Sequence, residues 1–312
     1  MPRRFLSITQ IHHRNVFLCL FVIVFVYCSY HLIETGRFLF DHFIPNEDFD
    51  DLVRLDVEMW QNNRSLSRKE IPRHIHQIWI SPSEKQSMNE NYVNASKSCK
   101  TLNSNYNYTL WTNEKLVNFL EKNYPWFLSV YENYRYDMQR IDSMKYFLLF
   151  HYGGIYIDLD VKCLVKDLIW EIVPKKEVEP DVIFHIGTEG ISANTDFMIS
   201  KQNHPFFKFA ISRLKSANRW FYLYHLTIIL SAGPTFLYGI YRKFPLKEEF
   251  YFIPNEFLWG KLIDGVGGGS WYGKDTLILL FLTEHYFVVS LFLFVFCFLL
   301  IFEMKKRNFK LF

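Results

Sequence analysis

Apolar residues divide the chain into two charge-free ends and a patterned middle. Residues 16–33 and 286–302 contain no Asp, Glu, Lys or Arg. Each run approaches the roughly 20 apolar residues that a helix needs to cross a bilayer. Between them, short apolar runs of strand length alternate with longer stretches whose apolar residues recur every three or four positions. The pattern predicts a folded domain flanked by two transmembrane helices.

The strand-like runs in the middle are residues 71–80, 108–111, 155–158 and 181–185, and the helix-like stretches are 114–124 and 129–150. Strands that alternate with helices indicate an α/β domain with a largely parallel sheet. In such sheets, ligands bind beyond the carboxyl ends of the strands. The apolar stretch 220–232 is too short to span a bilayer, which favours a core helix or a helix lying against the membrane.

Basic residues lie outside both apolar runs: Arg3, Arg4 and Arg14 before the first, and Lys305, Lys306 and Arg307 after the second. Because basic flanks favour the cytosolic side, both termini are predicted to be cytosolic. A cleaved signal peptide is the alternative for the first run, but no small-residue cleavage site follows it. The predicted organisation is a cytosolic tail (1–15), a span (16–33), a lumenal stem (34–70), a lumenal domain (71–285), a second span (286–302) and a second cytosolic tail (303–312).

Two further features support a lumenal middle. Three N-x-S/T sequons, at Asn63, Asn94 and Asn107, lie between the predicted spans and fit glycosylation in the secretory pathway. Of five cysteines, only Cys99 and Cys163 lie in this segment, and they could pair in an oxidising compartment. The formal net charge of +3 gives no indication of nucleic-acid binding.

The most informative chemistry lies in residues 146–164, YFLLFHYGGIYIDLDVKCL. Gly153 and Gly154 predict a turn because glycine adopts positive φ at little cost. The β-type run after them ends in Asp158 and Asp160, whose spacing directs both carboxylates to the same side of a strand. Two oxygen donors at one point suit Mn²⁺ or Mg²⁺, ions that usually also hold substrate phosphates. We therefore expect a divalent cation site for a phosphorylated substrate.

Other interpretations of these motifs are less consistent with the residues. D-x-D is common in surface turns, but here it follows a buried-looking strand, where unpaired carboxylates are costly without a cation. Aspartyl-phosphate phosphatases also carry D-x-D after a strand, but they need Thr or Val where this chain has Lys162. The glycine-rich stretch 265–273 does not match the phosphate-binding pattern G-x-x-x-x-G-K-[ST], which favours a flexible linker.

The order I-P-x-x-I-H-x-I-W, then R-x-D-x-x-[RK]-Y-x-x-L-x-x-Y-G-G-I-Y-x-D-x-D, resembles the family 32 glycosyltransferases, fungal Golgi enzymes with the DxD signature. The resemblance covers about residues 71–275. Within the family, the likeness extends to the catalytic subunits of mannosyl inositol phosphorylceramide synthase, whose D-x-D-x-x-C pattern is met by Cys163. Ser270 and Trp271 match the last motif of the family.

The resemblance implies a GT-A-like fold that binds a nucleotide sugar, with GDP-mannose as the donor and Mn²⁺ or Mg²⁺ as the cofactor. It assigns the nucleotide base to Trp79, the sugar to Asp142 and Lys145, and the metal and diphosphate to the catalytic pair Asp158 and Asp160. Further predicted substrate-binding residues are Arg140, Tyr156, Ser270 and Trp271. It also implies that the protein is located in the Golgi membrane, that its acceptor is a sphingolipid and that it has a second, regulatory membrane subunit as a partner.

Two residues depart from the family pattern. Lys145 stands where the family usually has Arg, and lysine keeps the charge but loses the bidentate fork. Tyr272 stands where the last motif has His, and tyrosine is a poor ligand for Mn²⁺ near neutral pH.

Three functions are compatible with the sequence. The first is a mannosyltransferase that acts on inositol phosphorylceramide, the second a Golgi mannosyltransferase that acts on protein-linked glycans, and the third a non-catalytic membrane subunit that keeps the fold. The second predicted span favours the first, because a domain tethered at both ends is held against the leaflet that contains a lipid acceptor. Glycan-extending relatives usually have only the N-terminal anchor.

Overall fold

A six-stranded sheet lies at the centre of the fold. The computed structural model describes residues 36, 51–64, 70–81, 87–173, 179–186, 193–267 and 272–285. The strands are β1 (His74–Trp79), β2 (Asn107–Thr112), β3 (Gly154–Ile157), β4 (Val161–Cys163), β5 (Val182–Ile186), β6 (Ala193–Ser200), β7 (Phe250–Ile253) and β8 (Ile263–Gly265).

Helices pack around the sheet along the whole described chain. They are α1 (Asp51–Arg64), α2 (Glu90–Leu102), α3 (Asn113–Asn123), α4 (Pro125–Glu132), α5 (Asp137–Tyr152), α6 (Leu168–Ile172), α7 (Pro205–Ala217), α8 (Tyr224–Ser231), α9 (Pro234–Lys243), α10 (Asn255–Leu258) and α11 (Lys274–Glu284), with a 3₁₀ turn at Lys247–Glu249.

The order of strands in the main sheet is β2-β1-β3-β6-β5-β7, and β4 pairs with β8 in a separate two-stranded sheet. Strands β2, β1 and β3 are parallel to one another, and β5 is parallel to β7. Strand β6 runs antiparallel to both β3 and β5. All strands of the main sheet except β6 therefore point in the same direction, which confirms the predicted α/β domain with a largely parallel sheet.

The glycine pair before β3 allows the backbone of α5 to turn directly into the sheet. Gly153 and Gly154 have φ angles of 66° and 91°. A Cβ on Gly153 would lie 2.6 Å from the Gln202 amide nitrogen, and one on Gly154 would lie 2.3 Å from the His74 carbonyl oxygen. Both the left-handed conformation and this close approach exclude larger side chains.

A buried histidine fixes this turn from the neighbouring strand. Nε2 of His76 lies 3.0 Å from the Gly153 carbonyl oxygen, and the Trp111 indole donates to Nδ1 of His76 at 3.2 Å. Burial, followed by the charge of His74, lowers the pKa of His76 to about 3, so the ring is neutral. Because Nδ1 accepts, the proton is on Nε2 and is donated to Gly153.

The stretch predicted as one helix, residues 129–150, is two helices, and that prediction was wrong at the break between α4 and α5. The Arg140 guanidinium donates to the carbonyls of Tyr131, Glu132 and Tyr134 at 2.7–3.1 Å. It therefore satisfies carbonyls that the end of α4 leaves without a helical partner. The apolar periodicity continues across the break, so the pattern alone did not reveal it.

The apolar stretch 220–232 forms a helix over its second part only. Helix α8 begins at Tyr224, and its Ile228 and Leu230 are buried, as predicted for a core helix. The preceding residues, Trp220, Tyr222 and Leu223, are outside the helix and exposed.

Part of the predicted stem belongs to the folded unit. Helix α1 lies within residues 34–70, and its Val57 is buried. The Trp60 indole donates to Asp181 at 3.3 Å, and the Lys208 ammonium on α7 lies 2.7 Å from Asp56. The folded domain therefore begins before residue 71, where the sequence pattern had placed its start.

No helix within the described ranges is long and apolar enough to cross a membrane. The predicted spans at 16–33 and 286–302 and the tails at 1–15 and 303–312 lie outside the residues that the structure describes. These four assignments stay predictions.

The two cysteines of the predicted lumenal segment form a disulfide. Cys99 on α2 and Cys163 on β4 are bonded across a sequence separation of 64 residues, and both are buried. The Ser98 hydroxyl also accepts a hydrogen bond from the Cys163 amide at 3.0 Å. Helix α2 is thus tied to the strand that follows Asp158 and Asp160.

We predict that the Cys99→Ser, Cys163→Ser double variant loses about 4 kcal/mol of unfolding free energy, because the unfolded chain regains the entropy of a long open loop. Urea denaturation of the full-length protein in detergent micelles measures this loss. Cys28→Ser, which changes a cysteine in the first predicted span, is the control. An unchanged midpoint in the double variant contradicts the prediction.

Candidate functional site

Two cavities open at the carboxyl edge of the sheet and share one wall. The first has a volume of about 450 Å³ and the second about 390 Å³. Asp158 and Asp160 line both cavities, as does Met138. The aspartate pair follows β3 directly, so the predicted position beyond the end of a strand is confirmed.

The walls of the cavities differ in chemistry. The described residues that line the first are mostly aromatic or aliphatic: Ile78, Trp79, Ile80, Tyr92, Arg135, Tyr136, Asp137, Met138, Ile141, Leu159 and Tyr224, besides the aspartate pair. The second is more polar and is lined by Met138, Asp142, Lys145, Val161, Asn194, Thr195, Asp196, Pro234, Trp259, Gly265 and Tyr272, besides the same pair.

A buried lysine joins the first aspartate of the pair to helix α5. The Lys145 ammonium lies 2.9 Å from Asp142 and 3.0 and 3.3 Å from the two carboxylate oxygens of Asp158. It also lies 4.8 Å from the centre of the Tyr156 ring, within range of a cation–π interaction. The side chain of Lys145 is 1% exposed, so these contacts replace water around its charge.

Further hydrogen bonds hold Asp158 in place. The Tyr156 hydroxyl donates to Oδ1 of Asp158 at 2.7 Å, and the backbone amide of Asp158 donates to the Asp196 carbonyl at 2.8 Å. The side-chain amide of Gln77 donates to the Asp158 carbonyl oxygen at 3.3 Å, and Oε1 of Gln77 accepts from the Ser96 and Tyr108 hydroxyls. Both the carboxylate and the backbone of Asp158 are therefore fixed before any ligand binds.

The site carries more negative than positive charge. Burial raises the pKa of Asp158 to about 7, although the Lys145 charge opposes the rise. Burial and the nearby Asp196 raise the pKa of Asp160, and burial raises that of Asp142. One ammonium thus offsets only part of the charge of Asp142, Asp158 and Asp160, and a bound cation would relieve the remainder.

These residues fit a hard divalent cation. Asp158 and Asp160 offer carboxylate oxygens, the ligands that Mg²⁺ and Mn²⁺ prefer, and an ion held by two carboxylates has positions left for a diphosphate and water. Within the described ranges, three metal-ligand side chains converge at a different place, Asp181, His204 and Glu249.

That second cluster lies at the opposite edge of the sheet. Asp181 precedes β5, which runs parallel to β3, so it is at the amino end of the strands. The Lys201 ammonium lies 2.8 Å from Asp181, and His204 lies 2.9 Å from Glu249. Together with the bond from Trp60, these contacts make the cluster a buried ionic network that anchors α1, remote from both cavities.

Strand β6 brings a fourth carboxylate to the site, besides those of Asp142, Asp158 and Asp160. Because β6 is antiparallel, its first residues lie at the carboxyl edge, where Asn194, Thr195 and Asp196 line the second cavity. His185 on β5 contacts the Asp196 carboxylate through Nε2. Burial alone would lower the pKa of His185, but its bond to Asp196 raises it overall, which favours an imidazolium–carboxylate pair.

The structure brings together most of the predicted site residues. Trp79 lines the first cavity, and Asp142 and Lys145 line the second. The Tyr156 hydroxyl donates a hydrogen bond to Asp158. Arg140 is not among the described residues that line either cavity, because it donates to the carbonyls that end α4. Its role in substrate binding stays a prediction.

The remaining predicted residues lie outside the site or outside the described residues. Ser270 and Trp271 are among the residues that the structure does not describe, although the neighbouring Tyr272 lines the second cavity. Asn94 on α2 and Asn107 on β2 are exposed, as glycosylation sites must be. Asn63 lies on α1, and its side chain is outside the description.

Several site residues were missed by reasoning from the sequence. Gln77 lies beside His76 in β1, and these two polar residues at buried positions were the available signal. Asn194 and Thr195 precede Asp196 and an apolar run, FMIS, that could have indicated a strand, and their polar side chains before that run were the available signal.

Comparisons with known proteins agree with this geometry. Residues 89–179 match the family described as "Glycosyltransferase sugar-binding region containing DXD motif". The matched segment includes Asp142, Lys145, Asp158 and Asp160, the residues of the buried lysine network and the aspartate pair.

Curated relatives extend the similarity to most of the chain. Inositol phosphoceramide mannosyltransferase 1 of Schizosaccharomyces pombe is 30% identical over 303 residues, which is 93% of this chain and 89% of that protein. Mannosyl phosphorylinositol ceramide synthase SUR1 of Saccharomyces cerevisiae is 29% identical over 229 residues, which is 69% of this chain and 55% of that protein.

Similarity to solved structures is weaker. PaToxG glycosyltransferase is 16% identical and has a TM-score of 0.41, covering 62% of this chain and 78% of that chain. The ligand-free glycosyltransferase domain of the YGT toxin is 9% identical and has a TM-score of 0.43, covering 59% of this chain and 80% of that chain.

We predict that Lys145→Met lowers the unfolding free energy by about 3–5 kcal/mol, because it leaves the buried Asp142 and the partly buried Asp158 carboxylates without their cation. Adding Asp142→Asn should recover part of the loss, because the second substitution removes one of the unpaired charges. Thermal unfolding of the full-length protein in detergent measures both effects.

Lys162→Met is the matched control, since Lys162 pairs with Asp264 at 3.1 Å on the surface, with side chains 38% and 44% exposed. A surface pair contributes at most about 1 kcal/mol. Equal losses in Lys145→Met and Lys162→Met would show that the buried network does not stabilise the fold.

Proposed function

This chain belongs to the family of inositol phosphoceramide mannosyltransferases, and we propose that it transfers mannose from GDP-mannose to the inositol group of inositol phosphorylceramide. The observation that carries the proposal is the aspartate pair Asp158 and Asp160, held between an aromatic cavity and a polar one. A transferase needs two adjoining subsites, one for the donor and one for the acceptor, with the diphosphate at their junction.

The first cavity suits the nucleoside of the donor. Trp79, Tyr92 and Tyr136 offer aromatic faces there, and stacking of a base on such a face is worth about 1–3 kcal/mol. Arg135 and Asp137 add polar groups on the same wall. The nucleoside end of GDP-mannose therefore lies in this cavity, which is the arrangement expected of a GT-A-like domain.

The diphosphate lies against the aspartate pair. Asp158 and Asp160 would hold a divalent cation, Mn²⁺ or Mg²⁺, which would supply positive charge to stabilise the departing diphosphate. Lys145 orients the Asp158 carboxylate through its two short contacts, and Asp142 lies on the wall of the second cavity, where the sugar is expected. The lysine contributes charge and orientation without the bidentate fork of an arginine.

The second cavity suits a polar acceptor. Asn194, Thr195 and Asp196 line it and can hydrogen-bond the hydroxyls of an inositol ring. The His185 contact holds the Asp196 carboxylate in the orientation in which it accepts a hydrogen bond from the attacking hydroxyl. The acceptor enters from the side that Tyr272 and Gly265 border.

We place the enzyme in the Golgi membrane with its catalytic domain in the lumen. The buried disulfide between Cys99 and Cys163 supports an oxidising compartment, and exposed Asn94 and Asn107 are accessible for glycosylation. We also propose a second membrane subunit with a regulatory role, because the chain resembles catalytic subunits of a synthase.

We predict that Asp158→Asn and Asp160→Asn each reduce turnover by about 100-fold or more, because loss of a metal contact to a leaving group is worth several kcal/mol. Mannose transfer from radiolabelled GDP-mannose to inositol phosphorylceramide in membranes measures the loss. Asp264→Asn, the same change at an exposed carboxylate, should leave turnover near that of the wild type. Near-normal transfer by the double variant would exclude the aspartate pair as the metal site.

We predict that cells lacking this chain accumulate unmannosylated inositol phosphorylceramide, alone or once any paralogue is also removed. A sphingolipid profile measures the accumulation, and re-expression of the wild type but not of Asp158→Asn should reverse it. Normal mannosylated sphingolipids together with shortened N-glycan outer chains would favour a glycan acceptor instead.

A further inference from the structure

A cluster of exposed apolar side chains lies beside the two cavities. Three of its members precede α8: Trp220, Tyr222 and Leu223, which are 50%, 44% and 38% exposed. Three others are on α11: Leu277, Ile278 and Phe281, which are 63%, 60% and 57% exposed. We call these six residues the apolar rim.

The buried residue Phe221 fixes the part of the rim that precedes α8. Phe221, between Trp220 and Tyr222, is buried, and its amide donates to the Thr227 hydroxyl at 3.0 Å. Tyr222 has a φ angle of 64°, in the left-handed region that bulky residues rarely adopt. Such strain, where the surrounding contacts enforce it, often marks a functional position.

The two parts of the rim are joined by hydrogen bonds. The His225 amide donates to Asp275 at 2.8 Å, and Nδ1 of His225 lies 3.2 Å from the Thr276 hydroxyl. The first turn of α11 is therefore fixed against the first turn of α8. Positions 277 and 278 lie four and three residues before position 281, so both lie on the same side of α11 as position 281.

The rim adjoins both cavities. The Arg135 guanidinium lies 4.9 Å from the centre of the Trp220 ring, and Arg135 lines the first cavity. Tyr224, which follows Leu223 directly, lines the same cavity, and Tyr272 lines the second just before α11. A surface that covers the rim would thus lie close to the mouth of the site.

The chain beyond α11 indicates what covers the rim. Helix α11 ends at Glu284, and the charge-free run 286–302 begins two residues later. An exposed apolar face that leads directly into a membrane-spanning length is placed at the bilayer surface. Trp and Tyr are enriched at that interface, because their rings are apolar and their N–H or O–H groups remain near water.

We propose that the apolar rim inserts into the lumenal surface of the bilayer and holds the mouth of the site at the headgroup level. Arg135, beside Trp220, then lies where it meets anionic lipid headgroups. The acceptor enters the second cavity laterally from the leaflet, a step that rests on the proposed function. Contact between the rim and the bilayer does not depend on which molecule is mannosylated.

Photo-crosslinking tests this contact without using the enzymatic activity. p-Benzoylphenylalanine replaces Trp220 or Ile278 in the full-length protein, reconstituted in phosphatidylcholine vesicles that contain a radiolabelled phospholipid. Trp126 is the matched control position, since it is 52% exposed and is not among the described residues that line either cavity. Labelled lipid adducts at positions 220 and 278, but not at 126, are the expected result.

Adducts of either rim position to a second copy of the chain, or to residues 16–33 of the same chain, would overturn the proposal. So would equal lipid labelling at all three positions.

Kinetics then tests the lateral entry of the acceptor. For Leu277→Ser, Ile278→Ser, we expect the KM for vesicle-embedded inositol phosphorylceramide to rise about tenfold, which corresponds to 1.4 kcal/mol. The KM for GDP-mannose and the rate with a water-soluble short-chain inositol phosphodiester should not change. An unchanged KM for the embedded lipid would overturn lateral entry.

The two proposals fail in different ways. If the wild type crosslinks lipid but transfers no mannose to inositol phosphorylceramide, the proposed function is wrong and the rim still contacts the bilayer. If the wild type transfers mannose but neither rim position labels lipid, the proposed function stands and the rim proposal is wrong.

Discussion

The geometry of the site depends on one buried ammonium. Lys145 joins a carboxylate on helix α5 to a carboxylate at the end of strand β3, and the two elements are thereby locked together. A buried lysine is tolerated only when its charge is paired, and here one ammonium contacts two carboxylates, those of Asp142 and Asp158. The surplus negative charge is what makes the place suitable for a cation, so the network that stabilises the helix–strand junction also creates the chemistry of the site.

A single reversed strand makes the site two-sided. A parallel strand brings to the carboxyl edge only its last residues and those that follow it, which accounts for Trp79 at the end of β1 and the aspartate pair after β3. Because β6 runs the other way, its first residues reach the same edge, and Asp196 faces the second cavity from there. The first cavity thus takes its strand residues from the parallel part of the sheet, and the second also takes residues from the reversed strand.

The sequence predicted what local pattern determines. The alternation of strands and helices gave the α/β class, and Gly153-Gly154 followed by two spaced aspartates gave the position of the site. Contacts between distant segments were not predictable in this way. Strand β6 begins with polar residues whose role depends on a partner across the sheet, and the break between α4 and α5 depends on where the Arg140 guanidinium binds. The docking of α1 through Trp60 likewise depends on a buried charge far along the chain.

The disulfide has a consequence for how the enzyme matures. Cys163 lies three residues beyond Asp160, so the turn that carries the aspartate pair is covalently tied to α2 only after oxidation. A chain that folds in a reducing cytosol acquires its sheet but not this tie. Protein for biochemical work should therefore come from a host that exports it through an oxidising compartment. Only there does the disulfide form that fixes the turn carrying Asp158 and Asp160 to α2.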